Sequence, residues 1–148
     1  IPWLDGSTEV EAGIAMAAAV DKFSTFLDEV AEAEGIAPEN TILLGFSQGT
    51  MMSLHVGPRR KAAFAGIIGF SGRLLQPSAL AAEIKTKPPI LLIHGDQDDV
   101  VPYSSMAEAE TGLKAAGLSV ETHTSPGTGH GIAPDGLSKA LQIALTWL

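Results

Sequence analysis

The stretch TILLGFSQGTMM, Thr41 to Met52, constrains this chain more than any other. An apolar run breaks at Gly-Phe-Ser-Gln-Gly and resumes with the composition of a helix. Such a short, continuous apolar run is what a parallel strand buried on both faces requires. A hydroxyl between two glycines at the end of that strand points to a very sharp strand–turn–helix corner. Its central residue is strained and its flanking residues must be small. Gly45 and Gly49 take the flanks, which sets Ser47 at the strand tip with its oxygen exposed. Gln48 opens the helix, and its backbone N–H lies where unpaired donors and the helix dipole favour negative charge, as an oxyanion hole needs. Gly-x-Ser-x-Gly alone is short enough to arise by chance; the flanking strand-like and helix-like segments give it specificity.

The rest of the chain alternates in the same way. Ser7 to Glu34 reads as a long helix, with capping-box spacing at Thr8 and Glu11. Met16, Val20, Phe23, Leu27 and Val30 recur on one face, and Gly35 supplies a stop. Gln48 to Val56 is a helix closed by Gly57-Pro58. Ala63 to Phe70 and Ile90 to Ile93 are two further apolar strands. Ser104 to Ala116 is helical, and Ser119 to Thr124 alternates strictly, as an edge strand with one solvated face does. Leu137, Leu141, Ala144, Leu145 and Leu148 line one face of a C-terminal helix. This order predicts one α/β domain, residues 1–148, with a parallel sheet whose ligands sit at the carboxyl ends of its strands.

Those strand ends carry the polar residues: Ser47, then HGDQDDVVP (His94 to Pro102), then SPGTGHG (Ser125 to Gly131). Serine, acid and histidine thus follow in the chain order of α/β-hydrolases. Serine is weakly nucleophilic at neutral pH, so an imidazole must take its proton and a carboxylate must orient that imidazole. Of the four histidines, His55 is eight residues beyond Ser47 on one helix, about 12 Å along the axis, and cannot reach it. His94 reads as structural, bonded to a neighbouring loop, and His123 as a solvated edge-strand residue. His130, between two glycines that let the backbone bend it inward, is the expected base. Asp96, Asp98 and Asp99 remain equal candidates for the acid at this level.

Composition removes other classes. The net charge of −8 disfavours nucleic acid and anionic membranes as partners. No run reaches the length of a membrane span. The absence of cysteine removes disulfides, thiolate metal sites and a thiol nucleophile. The histidines lack zinc-site spacing and the acid loop does not match a calcium loop, so no metal or cofactor is expected. Ile1-Pro2-Trp3 resembles neither a signal peptide nor a charged targeting segment, and the address of a longer gene product can lie outside this sequence; a cytoplasmic setting is the default expectation.

GFSQGTMMSLH, HGDQDDVVP and GTGHGIAPDG together resemble the phospholipase/carboxylesterase family of α/β-hydrolases, which includes acyl-protein thioesterases and small bacterial carboxylesterases. The resemblance implies an α/β-hydrolase fold lacking its N-terminal strands, with about four parallel strands and helices on both faces. By position it assigns Ser47 as nucleophile, Asp98 as acid and His130 as base, with Gln48 in the oxyanion hole. It makes Leu74 and Leu75, in GFSGRLL, candidate substrate contacts. The implied activity is a serine carboxylesterase acting on short- to medium-chain acyl esters, a class extending to thioesters and lysophospholipids. The alternative is a non-catalytic hydrolase remnant that binds a partner or itself.

The family's N-terminal strands include one whose following loop gives the second oxyanion donor, and no such loop occurs here. Without them the elbow strand would be an apolar edge with no lysine, proline or inward charge to discourage pairing. The expectation is therefore a homodimer or a complementing N-terminal segment.

Overall fold

The computed structural model describes the backbone from Glu9 and the side chains from Ala17 to the C-terminus. The chain forms two compact units, residues 1–36 and 37–148. In the first, helix α1 spans Glu9–Glu34. It ends at Gly35, whose φ of +65° suits glycine and whose N–H donates to the Ala31 carbonyl at 3.0 Å. The capping-box residue Thr8 lies outside the described residues.

In the second unit, strands β1 (Ile42–Phe46), β2 (Gly66–Phe70), β3 (Ile90–Gly95) and β4 (Val120–Ser125) form one parallel sheet in the order β1-β2-β3-β4. Helices α2 (Gln48–Val56), α3 (Pro77–Glu83), α4 (Ser104–Ala115) and α5 (Pro134–Trp147) follow the strands in turn. The second strand begins later than the apolar run suggested. Its ladder opens only where β1 does, with Ile42 opposite Gly66, while the preceding Phe64 is buried outside the ladder. No helix among the described residues is long and apolar enough to cross a membrane.

Side-chain alternation sorts the helices between the two faces. On one, Leu43 and Ile67 meet Gly57 at the end of α2, and Gly69 lies under Thr50 of that helix. On the other, Ile68, Phe70, Leu91 and Ile93 pack with Ala140, flanked by Ile42, Ile143, Ala144 and Trp147. That face belongs to α5.

The sheet-facing line of α5 is therefore not the leucine stripe that its periodicity suggests. Small residues occupy the closest approach: a Cβ on Gly136 would lie 2.9 Å from the Ile93 side chain. Leucine is too large at that position. Leu141 and Leu145 are instead 61% and 81% exposed, and Leu137 and Leu148 are exposed with them. The Asp135 and Lys139 side chains reach β4, so the leucine flank, on the far side of the sheet-facing line, turns toward β1. There Leu44 is 56% and Phe46 38% exposed. Among the described residues β1 has one neighbour, β2, and its other edge is open.

Candidate active site

Ser47 joins β1 to α2 in a left-handed conformation, φ 53° and ψ −109°, as the sharp corner requires. Holding a non-glycine residue there costs about 1–3 kcal/mol. The neighbouring strand supplies the restraint. The Phe70 carbonyl accepts the Ser47 N–H at 2.8 Å and the Thr50 hydroxyl at 2.8 Å, gripping both ends of the turn. The corner needs only one of its two glycines for space. A Cβ on Gly45 would lie 2.5 Å from the Gly49 carbonyl carbon and 2.6 Å from the Thr50 nitrogen. A Cβ on Gly49 would meet nothing within 4 Å, so the expectation that both flanks must be small holds for the first alone.

His130 lies on the loop between β4 and α5. Its Nδ1–H donates to Asp98 Oδ2 at 2.8 Å, and its Nε2 is 3.0 Å from Ser47 Oγ. An ionised carboxylate only accepts, so Nδ1 carries the proton and Nε2 presents a lone pair to the serine hydroxyl. The Phe46 ring lies 4.8 Å from the imidazole, centroid to centroid. The His130 side chain is 17% exposed and that of Asp98 0%.

Burial alone would push the Asp98 carboxyl up. Hydrogen bonds from His130 and from the Val100 and Val101 N–H groups outweigh that and hold it below the usual carboxylate range. His94, buried beside it, donates from Nε2 to the Val101 carbonyl at 2.9 Å and sits 3.4 Å from Asp98 Oδ2. His94 is thus the loop-bonded residue expected from its position.

The other two acids of the loop separate here. Asp96 Oδ1 accepts the Gly127 N–H at 2.8 Å, tying the His94–Pro102 loop to the loop that carries His130. The Gln97 N–H donating to the Thr128 carbonyl at 2.9 Å strengthens that tie. Asp99 is exposed.

Gln48 is the first residue of α2, where helix geometry leaves its N–H without an intrahelical acceptor beside Ser47. Leu74 packs against Gly112 of α4 and Leu75 joins the buried core, so packing is what the structure shows for both. His55 is buried in α2. His123 departs from the solvated reading: its Nε2–H donates to Asp135 Oδ2 at 2.7 Å. The sequence reading missed Asp135. Its only local signal is an acid in the first turn of a helix.

The sequence pattern of the phospholipase/carboxylesterase family matches residues 3–148. The chain is 37% identical over 139 residues to acyl-protein thioesterase 1 of Neurospora crassa, covering 86% of this chain and 55% of that protein. It is 33% identical over 140 residues to a probable carboxylesterase of Oryza sativa, covering 93% and 52%. Among solved structures, esterase PE8 superposes with a TM-score of 0.86 at 43% identity, covering 89% of this chain and 61% of that one. SOBER1 of Arabidopsis thaliana superposes with a TM-score of 0.80 at 28% identity, covering 88% and 63%. The chain spans about half the length of the curated relatives it matches.

Proposed function

The chain belongs to the phospholipase/carboxylesterase family and has its α/β-hydrolase fold, and on that basis we propose that it is a serine carboxylic ester hydrolase. The single observation that carries the reading is the unbroken hydrogen-bond chain from Asp98 through His130 to Ser47. Ser47 Oγ attacks the acyl carbon while its proton passes to His130 Nε2. Asp98 holds the ring and stabilises the imidazolium. The oxyanion forms near the Gln48 N–H at the α2 N-terminus, where the helix dipole favours it. His130 then returns the proton to the departing alkoxide or thiolate, leaving the acyl group on Ser47. Water, deprotonated by the same imidazole, attacks that ester, and collapse frees the carboxylic acid and restores the serine proton.

The substrate class is short- to medium-chain acyl esters, with thioesters admitted by the same chemistry. The names of the thioesterase relatives support that extension. Leu74 and Leu75 enter as candidates for the acyl side.

The proposal includes a cover for β1. Its open edge exposes Leu44 and Phe46, and the exposed leucines of α5 turn toward the same side. An N-terminal segment continuing the sheet, or a second copy across a twofold axis, would bury it. Either could also bring a second oxyanion donor, whose lack costs about two to three orders of magnitude in turnover.

A fluorophosphonate probe tests the nucleophile. Labelling is expected at Ser47 and lost in Ser47→Ala. Turnover of a p-nitrophenyl ester without label at Ser47 would overturn the assignment, and neither label nor turnover would favour the non-catalytic remnant. Light scattering tests the cover, and a well-behaved 15.3 kDa monomer with ordinary esterase rates would refute it.

A further inference from the structure

A second Ser–His–Asp cluster lies at the junction of β4 and α5. Asp135, in the first turn of α5, accepts the His123 Nε2–H at 2.7 Å and the Ser125 Oγ–H at 2.9 Å, both on Oδ2. This wiring is not that of a nucleophilic site. The serine gives its proton to the carboxylate rather than to the imidazole, and Ser125 is only 2% exposed. An ionised carboxylate accepts only, so His123 Nε2 is protonated and cannot act there as a base. Hydrogen bonds from His123 first, then Ser125, hold the Asp135 carboxyl below its ordinary range.

His123 and Ser125 are two residues apart and so share one face of β4. Glu121 continues that face and pairs with Lys139 at 2.6 Å. Asp135 and Lys139, four apart, share one face of α5. The β4–α5 seam is thus a polar ladder with fixed order: serine and histidine opposite the acid, glutamate opposite the lysine. A slip of α5 by one turn would set Lys139 against His123 and leave Asp135 without its donors. The close fit of Gly136 against Ile93 and of Trp147 against Gly66 resists the same slip, so the ladder and the packed seam fix one register together.

The loop between Ser125 and Pro134 carries His130, and its Thr128 and Gly129 carbonyls pack on Gly95, where a Cβ would lie 2.2 and 2.5 Å from them. A Cβ on Gly131 would meet nothing within 4 Å, and one on Gly129 only the Gln97 carbonyl at 3.7 Å. His130 is held directly by Asp98 and lies beside the Phe46 ring, and its loop is anchored at both ends. Asp96 and Gln97 tie the front, to Gly127 and Thr128. At the back, the start of α5 is fixed by Asp135.

We infer that the His123–Ser125–Asp135 cluster is a positioning clamp that holds the His130 loop at the geometry His130 needs to reach Ser47. The catalytic part of the inference rests on the hydrolase reading above; the placement of His130 does not.

The test compares Asp135→Ala with Asp135→Asn, which keeps an acceptor oxygen. Turnover of a p-nitrophenyl butyrate ester should fall on the order of tenfold in kcat, with KM little changed, in Asp135→Ala. Asp135→Asn should recover most of that loss. Independently of activity, the His130 Nδ1–H proton resonance should broaden and exchange faster with solvent in Asp135→Ala, and recover in Asp135→Asn.

If Asp135→Ala does not fold, His123→Leu and Ser125→Ala, each deleting one bond, should show smaller changes of the same kind. Unchanged kcat and an unchanged His130 proton signal in the folded variants would overturn the clamp. A KM effect alone would also overturn it. If the wild type neither turns over ester nor labels, the hydrolase reading fails, and the proton signal still decides the clamp.

Discussion

The two glycines of the Ser47 corner should respond to the same substitution with opposite sign. In Gly45→Ala the new methyl would fall 2.5 Å from the Gly49 carbonyl carbon and 2.6 Å from the Thr50 nitrogen, against an ordinary contact of 3.4 Å or more. Both are backbone atoms, so no rotamer change relieves the clash, and β1 and the start of α2 must separate by roughly 0.9 Å. Overpacking of this kind costs about 1–3 kcal/mol. Because the displaced atoms flank Ser47, a shift near 1 Å should also cost about a hundredfold in turnover. In Gly49→Ala the methyl meets nothing within 4 Å, the site is helical, and alanine restricts the unfolded chain. The gain is about 0.4–1 kcal/mol. For a domain of this size each kcal/mol moves the midpoint by about 2–4 °C. Urea and thermal melts of the two variants, with ester turnover beside them, make the comparison. Similar destabilisation by both, or a harmless Gly45→Ala, would refute the argument.

Ser47→Ala and His130→Ala should each remove nearly all ester hydrolysis, and the double variant should be no worse than either, since groups acting as a unit do not lose additively. Strictly additive losses would mean they are not partners. Asp98→Asn should slow turnover by about two to four orders of magnitude, because the amide favours the wrong imidazole tautomer; steady-state kinetics show it. His55 is held below its ordinary pKa, first by burial and then by the Arg59 charge. The unfolded chain therefore takes its proton first, and the stability tied to neutral His55 is complete above about pH 6.5 and lost as pH falls through that range. His55→Gln should flatten the loss, and urea melts at pH 7.5 and 5 that decline equally in both proteins would contradict it.

The parts legible in the sequence are those encoded by local periodicity. The apolar run of β1, the corner and the Gln48–Val56 helix were readable because a buried parallel strand and a glycine-flanked turn each leave a local mark. From its residues alone the acid loop was readable only as a set, and the family resemblance singled out Asp98. Asp96, Asp98 and Asp99 are chemically alike, and what separates them is distant: Gly127 for Asp96, His130 for Asp98. The leucine stripe of α5 misled because periodicity reports apolar residues wherever they face. The true contact line depends on how closely helix and sheet approach, which Gly136 and Ala140 permit. His123 was unreadable for a similar reason, since its partner Asp135 comes from another element.

The Phe70 carbonyl, which accepts both the Ser47 N–H and the Thr50 hydroxyl, also bears on when this serine becomes distinct from any other. Neither bond lies within the β1–α2 segment, so a transiently formed strand and helix would leave the corner free to relax into an unstrained turn. The strained geometry of the corner therefore needs β2 beside β1, a non-local parallel pairing that bridges 20 residues from Thr50 to Phe70. Opening of that strand pair would remove both restraints at once. Covalent labelling of Ser47 during refolding would then run as a clock for sheet closure. Partly folded chains with their helices already formed would then stay unlabelled.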